Sequence, residues 1–309
     1  MIITITLNPA IDKTIEITDF RIGALNKVVR TEQDPGGKGI NVSRVLHALG
    51  GESFATGFLG GSAGRFIKTR LDALDIASQF IEVAGETRTN LKIFDAASFE
   101  TTEINELGPE IQAEDLEALK AVLENKVTHE DIVILSGSAP KSVSADYYRL
   151  LIETAKAAGA RVLLDASGQW FEAGIQAHPD FIKPNRAELE EHVKRPLKTD
   201  EALIEAAREL ISDGVKAVGI TLGSEGALYV TAVSAHRMHP LKVRVHSAVG
   251  AGDAFVAAYA LGLSRSMPIE TLLKMAVAAS AGAVETPGTK PPTKEWVEEK
   301  IKDVKIVSN

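Results

Sequence analysis

Four runs decide the fold: Ile132-Val-Ile-Leu135, Val162-Leu-Leu164, Phe181-Ile182 and Ala217-Val-Gly-Ile220. Each is apolar at consecutive positions, so a strand formed there is buried on both faces. Segments with helical periodicity accompany them at Glu114–Glu124, Ala145–Ala158 and Glu201–Ser212. Doubly apolar strands alternating with amphipathic helices predict an α/β fold with a parallel sheet covered by helices on both faces. Ligands of such sheets sit beyond the C-terminal ends of the strands. Those ends carry Ser136-Gly-Ser138, Asp165, Lys183-Pro-Asn185 and Thr221-Leu-Gly223, all polar or glycine-rich.

Upstream the texture changes. Residues 12–34 and about 86–107 are rich in Thr, Ile, Val and charge and lack helical periodicity, and Thr89-Asn-Leu-Lys-Ile-Phe94 alternates with period two. These two stretches are expected to form a small antiparallel sheet standing off the main body, a discontinuous lid. Between them Ile40–Leu49 reads as a helix and Phe54–Leu59 as a strand. With 309 residues and no repeat, low-complexity tract or linker, the chain is expected to be one α/β domain, residues 1–309, carrying that lid.

Composition narrows the chemistry. A chain that is 45% hydrophobic and 25% charged builds a core without staples. The absence of cysteine removes disulfides, thiolate catalysis and Cys-based metal sites. A net charge of −8 argues against a nucleic-acid surface while leaving room for a local basic pocket. Met1-Ile-Ile-Thr-Ile-Thr-Leu7 alternates like a strand and lacks the features of a signal peptide. The longest apolar stretch, Met275–Val284, is too short to span a bilayer. The expectation is a soluble, cytoplasmic protein without membrane or nucleic-acid partners.

Ser247-Ala-Val-Gly-Ala-Gly-Asp253, followed by the apolar Ala254–Leu263, is the strongest chemical feature. Gly250, Ala251 and Gly252 leave amides open at a predicted helix N-terminus, where unsatisfied N–H groups and the helix dipole favour an anion such as a transferring phosphoryl group. Asp253 in the first turn reads either as a capping carboxylate or as a base that takes a proton from a hydroxyl. Asp34-Pro-Gly-Gly-Lys-Gly-Ile-Asn41 reads either as a flexible turn before a helix or as a loop approaching a ligand, with Lys38 and Asn41 as donors. It is not a Walker A loop, since Gly39 stands where Ser or Thr is needed, and no G-x-G-x-x-G fingerprint occurs. Asn185 and Glu188 are spaced either as a capping box or as a pair holding Mg²⁺ through water.

Gly60-Gly-Ser-Ala-Gly64 matches G-x-S-x-G between a strand and a helix, the context of a hydrolase nucleophile. Small residues are also what a tight strand-to-helix turn needs. No later histidine lies in a segment that otherwise looks catalytic, and the seven histidines show no metal-ligand spacing.

Taken in order, these segments resemble the ribokinase/PfkB family of carbohydrate kinases over nearly the whole chain. Gly36–Gly50 running on to Gly57–Gly64 is similar to its first signature, which makes Ser62 part of a structural turn. Ser247–Asp253 is similar to the second, Thr221–Ala227 to the nucleotide loop, and Lys183–Glu188 to the magnesium-water motif. The resemblance implies a ribokinase-like fold, ATP and Mg²⁺, and Asp253 as general base beside the Gly250, Ala251 and Gly252 amides. It further implies Lys183, Asn185, Thr221, Gly223 and Gly226 at the nucleotide, with Asn185 and Glu188 reaching the metal through water.

Thr6–Asp12 and Thr87–Asn90 resemble the hexose-phosphate branch. By that resemblance Asp12 binds sugar hydroxyls, and Gly36, Gly37, Lys38, Asn41 and Asn90 line the sugar pocket. Arg88, helped by Lys38 and Lys92, holds the phosphate already on the substrate, as a guanidinium fork suits. Ser138 matches a position near that phosphate, although Ala139 stands where the family usually has Leu. The substrate implied is fructose 1-phosphate ahead of tagatose 6-phosphate, then fructose 6-phosphate. A sugar-phosphate-binding protein without activity is the alternative from another class. The resemblance also implies a homodimer through the lid, for which the sequence carries no signal of its own.

Overall fold

β1 (Ile2–Thr6) is buried at every position, so the alternation of its sequence does not produce a half-exposed strand. It lies inside a 10-stranded sheet and is flanked on both sides by parallel partners. The computed structural model describes residues 1–308. After β1 the chain forms β2 (Ala10–Ile17) and β3 (Val28–Gly36), then α1 (Lys38–Ala48), β4 (Phe54–Leu59), α2 (Gly61–Asp72) and β5 (Ala77–Glu82). Next come β6 (Arg88–Asp95), β7 (Glu100–Asn105), α3 (Ala113–Lys126), β8 (Ile132–Ser136), α4 (Asp146–Ala157) and β9 (Arg161–Asp165). They are followed by α5 (Gly168–Ile175), β10 (Phe181–Ile182), α6 (Arg186–Val193), α7 (Asp200–Ser212) and β11 (Ala217–Thr221). The chain closes with β12 (Ala227–Thr231), β13 (Ala235–Met238), α8 (Ala251–Ser264), α9 (Ile269–Glu285), α10 (Lys294–Lys300) and β14 (Ile306–Ser308).

The main sheet runs β14-β13-β12-β11-β10-β9-β8-β1-β4-β5, parallel from β11 to β5 and antiparallel from β11 to β14. The four deciding runs are β8 to β11, all in the parallel part. One face packs on α3, α4, α5 and α7 through Leu119, Leu151, Phe171 and Leu203. The other packs on α1, α8 and α9 through Leu46, Phe255 and Leu273. The apolar stretch Met275–Val284 lies in α9 and supplies this second layer, and no described helix is long and apolar enough to cross a membrane.

The lid is a separate sheet in the order β3-β2-β6-β7. It departs from the expected all-antiparallel form because its central pair, β2 and β6, is parallel. A parallel pair needs a long crossover, and the 70 residues between Ile17 and Arg88 supply it through β3, α1, β4, α2 and β5. The lid boundaries also sit slightly apart from the expected ones, at Ala10–Gly36 and Arg88–Asn105. Arg44 of α1 ties the lid to the body: its buried guanidinium donates to the Pro35 carbonyl at 3.0 Å, to Thr289 Oγ1 at 3.3 Å and to Asp34 Oδ1 at 3.4 Å.

Candidate active site

Between the lid and the C-terminal ends of the parallel strands lies a cavity of about 950 Å³. Two helices point their N-termini at it, and both begin after a glycine. Gly37 precedes α1 with φ 103° and Gly250 precedes α8 with φ 84°, a region that disfavours side chains. Neither helix has a side-chain cap, so the first amides of each stay open toward the cavity. Lys38, Asn41, Ala251, Gly252 and Asp253 all line it.

Asp253 is 5% exposed, and its Oδ2 accepts a hydrogen bond from Asn41 Nδ2 at 2.8 Å. Burial pushes its carboxyl up to about 6, opposed by the Lys38 charge, reinforced by Asp165, and opposed again by the Asn41 bond and Lys183. An acid poised there is largely ionised at neutral pH yet basic enough to take a proton. The capping alternative fails on geometry, because the α8 cap position is Gly250 and has no side-chain bond.

Beneath it Asp165, at the end of β9, holds two lysines. Its Oδ1 lies 3.1 Å from Lys38 Nζ and 3.2 Å from Lys183 Nζ. Burial would raise the Asp165 carboxyl, but Lys183 and Lys38 hold it below the usual carboxylate range. Burial works against the Lys38 ammonium, yet Asp165, Asp253 and Glu188 outweigh it and raise its pKa.

The sugar-side residues come from the lid. Alternation along β6 puts Arg88, Asn90 and Lys92 on the cavity face, and register sets Asn90 opposite Asp12 of β2. Asp12 accepts from Asn90 Nδ2 at 3.1 Å and pairs with Lys92 at 3.5 Å. Arg88 donates to the Asn8 carbonyl at 3.1 Å and the Glu106 carbonyl at 3.2 Å, which fixes the fork while leaving further N–H groups for an anion. Glu103 and Asn105 of β7 complete this wall. Sequence reading missed both; the pairing of β7 with β6, which sets Glu103 beside Lys92, is what brings them in.

Gly36 and Ser138 do not line the cavity. Gly36 serves it at one remove: a Cβ there would stand 2.7 Å from the Asp12 carboxylate, so the glycine makes the space that Asp12 occupies. Ser138 sits half-buried in the turn after β8.

On the nucleotide side, Lys183, Asn185, Thr221, Gly223 and Gly226 all line the cavity, facing an apolar wall that includes Val249, Val277, Ala281 and Val284. Asn185 and Glu188 do form the capping box of α6: Asn185 Oδ1 accepts from the Glu188 amide at 2.9 Å, and Glu188 Oε2 accepts from the Asn185 amide at 2.8 Å. This does not exclude the other reading. Glu188 Oε1 has no hydrogen-bond partner among the described residues, and Asn185 Oδ1 keeps a second lone pair. The pair therefore fits a Mg²⁺ ion reached through water, with the box orienting Glu188. Among the described residues there is no cluster of three or more His, Cys, Asp or Glu side chains that would hold a metal directly.

Ser62 is exposed, and its hydroxyl donates to Glu86 Oε1 at 2.7 Å. Its partner is a carboxylate in the link from β5 to β6, not an imidazole, so the G-x-S-x-G match is a strand-to-helix turn.

Comparison with known proteins shows the family. The model of the pfkB family of carbohydrate kinases matches residues 5–296. A 1-phosphofructokinase of Bacillus subtilis is 35% identical over 306 residues, 99% of each chain. A tagatose-6-phosphate kinase of Staphylococcus epidermidis is also 35% identical, over 279 residues and 89% of each chain. Phosphofructokinase-2 from Escherichia coli, solved in complex with substrates and products, superposes with a TM-score of 0.93 at 28% identity, covering 98% of each chain. The same enzyme has also been solved in a tetrameric inhibited form.

Proposed function

Because the chain belongs to the pfkB family of carbohydrate kinases, and so transfers phosphate from ATP to a sugar, we propose that its acceptor is fructose 1-phosphate and its product fructose 1,6-bisphosphate. The observation that carries a phosphorylated acceptor is the lid row. Arg88 and Lys92 place two cations beside Asp12 and Asn90 on the wall of the cavity that Asp253 also lines. Cations suit a phosphate already present, while Asp12 and Asn90 suit hydroxyls. The choice of fructose 1-phosphate is supported by the fuller span of the likeness to 1-phosphofructokinase, 99% of each chain against 89% for tagatose-6-phosphate kinase. Equal identity makes tagatose 6-phosphate the second reading, with fructose 6-phosphate third.

In the proposed reaction Asp253 accepts the proton of the attacking hydroxyl. The amides of Gly250, Ala251, Gly252 and Asp253 receive charge on the phosphoryl group in flight. Lys183 and Lys38 add positive charge on the nucleotide and sugar sides, while Thr221, Gly223 and Gly226 border the nucleotide. Mg²⁺, reached through water from Glu188 and Asn185, supplies charge neutralisation on the ATP phosphates when bound. The lid covers the sugar and excludes water that would otherwise hydrolyse ATP. Main sheet and lid act as one unit of residues 1–309, in the cytoplasm, where ATP and sugar phosphates occur.

The reading includes a homodimer formed lid to lid. Ile22, Leu25, Val29 and Phe99, all in the lid or its connecting loops, are at least 67% exposed, which leaves apolar surface on the lid for a partner to cover. Light scattering giving only a monomer at working concentration would remove this part.

The decisive experiment measures ADP release with fructose 1-phosphate, tagatose 6-phosphate and fructose 6-phosphate, compared by kcat/KM. Fructose 1-phosphate is expected to lead. A higher value for tagatose 6-phosphate or fructose 6-phosphate would replace the substrate, and no turnover with any would favour a binding protein. Asp253→Asn is expected to lower turnover by about 10²–10⁴ while ATP binding survives.

A further inference from the structure

None of the steps above uses Asp165. Its side chain is fully buried, and its Oδ1 accepts from Lys38 Nζ at 3.1 Å and from Lys183 Nζ at 3.2 Å. Its Oδ2 is buried with no hydrogen-bond partner among the described residues. The two lysines come from different elements: Lys38 opens α1, on the sugar side, and Lys183 follows β10, on the nucleotide side. Lys183 Nζ also lies 3.2 Å from where a Cβ on Gly252 would stand, alongside the open amides of α8.

Resting on the site reading above, we propose that Asp165 is a positioning residue that holds the Lys38 and Lys183 ammonium groups side by side, where the sugar and nucleotide halves of the cavity meet. Two ammonium groups bonded to one oxygen are no further apart than twice a hydrogen-bond length. Asp165 and Lys183 are buried while the Lys38 side chain is 37% exposed; like charges at that distance repel, and they stay together only with an anion between them. Asp253 also attracts Lys38, as does Glu188. Asp253, however, must give up its charge when it takes the substrate proton. Asp165 takes no part in that transfer and keeps the lysines in place throughout it. A buried ion pair is weak evidence of a stability role, since an apolar replacement is often as stable. Placement at a strand end facing both half-sites is what a positioning role requires.

The test compares steady-state kinetics, with ATP and fructose 1-phosphate each varied, for the parent, Asp165→Asn, Asp165→Glu, Lys38→Met, Lys183→Met, and Asp165→Asn combined with each lysine change. Asp165→Asn is expected to lower kcat about 10²-fold, as displacement of a positioned group by about 1 Å does, and to raise KM for both substrates. Asp165→Glu, which keeps the charge, should recover part of the loss. Each double variant should lose less than the product of its single losses, since both changes cut the same link. Parent-like kinetics in Asp165→Asn, an effect on one substrate only, or strictly multiplicative losses would overturn the proposal. Should Asp165→Asn fail to fold, Asp165→Glu decides alone: raised KM for both substrates supports it, and parent kinetics sinks it. If both lysine variants behave as the parent, the site reading itself fails and this inference falls with it. If they are impaired while Asp165→Asn is not, only this inference fails.

Discussion

Asn41→Leu isolates the hydrogen bond that tunes the base. Asn41 Nδ2 donates to Asp253 Oδ2 at 2.8 Å, and both residues are buried. Leucine fills similar space with no donor, and it bars water from replacing the lost bond. A hydrogen bond to a charged group contributes about 1.5–3 kcal/mol, and one pKa unit corresponds to about 1.4 kcal/mol. The low end of that range moves Asp253 from about 6 to about 7. At pH 7 the ionised fraction then falls from about nine-tenths to about half. The assay is kcat/KM for ADP release from pH 5 to 9, since that parameter follows groups of the free enzyme. The phosphate of the substrate titrates in the same region with a pKa of about 6, but equally for both proteins, so the displacement between the two profiles is what is read. The acid limb should move to higher pH by about one unit, beyond any pH-independent loss of sugar binding. A limb that stays in place or moves to lower pH would refute the reasoning.

Asp253→Asn should stabilise the protein at neutral pH while it removes turnover. The folded carboxyl titrates near 6 against an ordinary 3.8, so between those values the folded chain keeps a proton that the unfolded chain gives up. Stability of the parent therefore declines as pH rises through that window, by up to about 3 kcal/mol. Melting curves should show the variant's advantage largest above pH 7 and vanishing near pH 4; an equal gap at every pH would contradict this. Gly36→Ala drives a Cβ to within 2.7 Å of the Asp12 carboxylate, and kcat/KM for the sugar should fall by about 10²-fold with little change in KM for ATP. Ser62→Ala removes an exposed bond to Glu86 and should leave turnover near the parent's, at a stability cost of no more than about 1 kcal/mol; abolished activity would restore the hydrolase reading.

Much of this arrangement was legible in the chain order. The doubly apolar runs at 132–135, 162–164, 181–182 and 217–220 became β8 to β11 because burial on both faces is written into consecutive residues. Gly250 and Gly252 announced an open helix start at α8, which is local information carried by residues that lack a side chain, whereas the start of α1 at Lys38 came two positions before the expected Ile40. Other features were not legible. The parallel β2–β6 pair joins segments about 70 positions apart, and no local pattern distinguishes it from an antiparallel pair. Glu103 and Asn105 reach the cavity only through the register of β7 against β6. The antiparallel edge formed by β12, β13 and β14 is likewise a matter of pairing, with short strands that alternate too little to be read alone.

By itself, then, the sequence determined the kind of sheet, where the strands end, and which residues stand at those ends, since burial pattern and turn chemistry are properties of neighbours along the chain. What only the tertiary structure decided is which of those residues act on one another. Asp253 owes its raised pKa to burial and to Lys38, Asp165, Asn41 and Lys183, contributed by α1, β9 and the turn after β10. Asp165 appeared in the sequence as one more polar strand end, and folding around it made it the shared partner of two lysines 145 positions apart. Electrostatic interaction depends on distance through space and on exclusion of water, and the fold sets both.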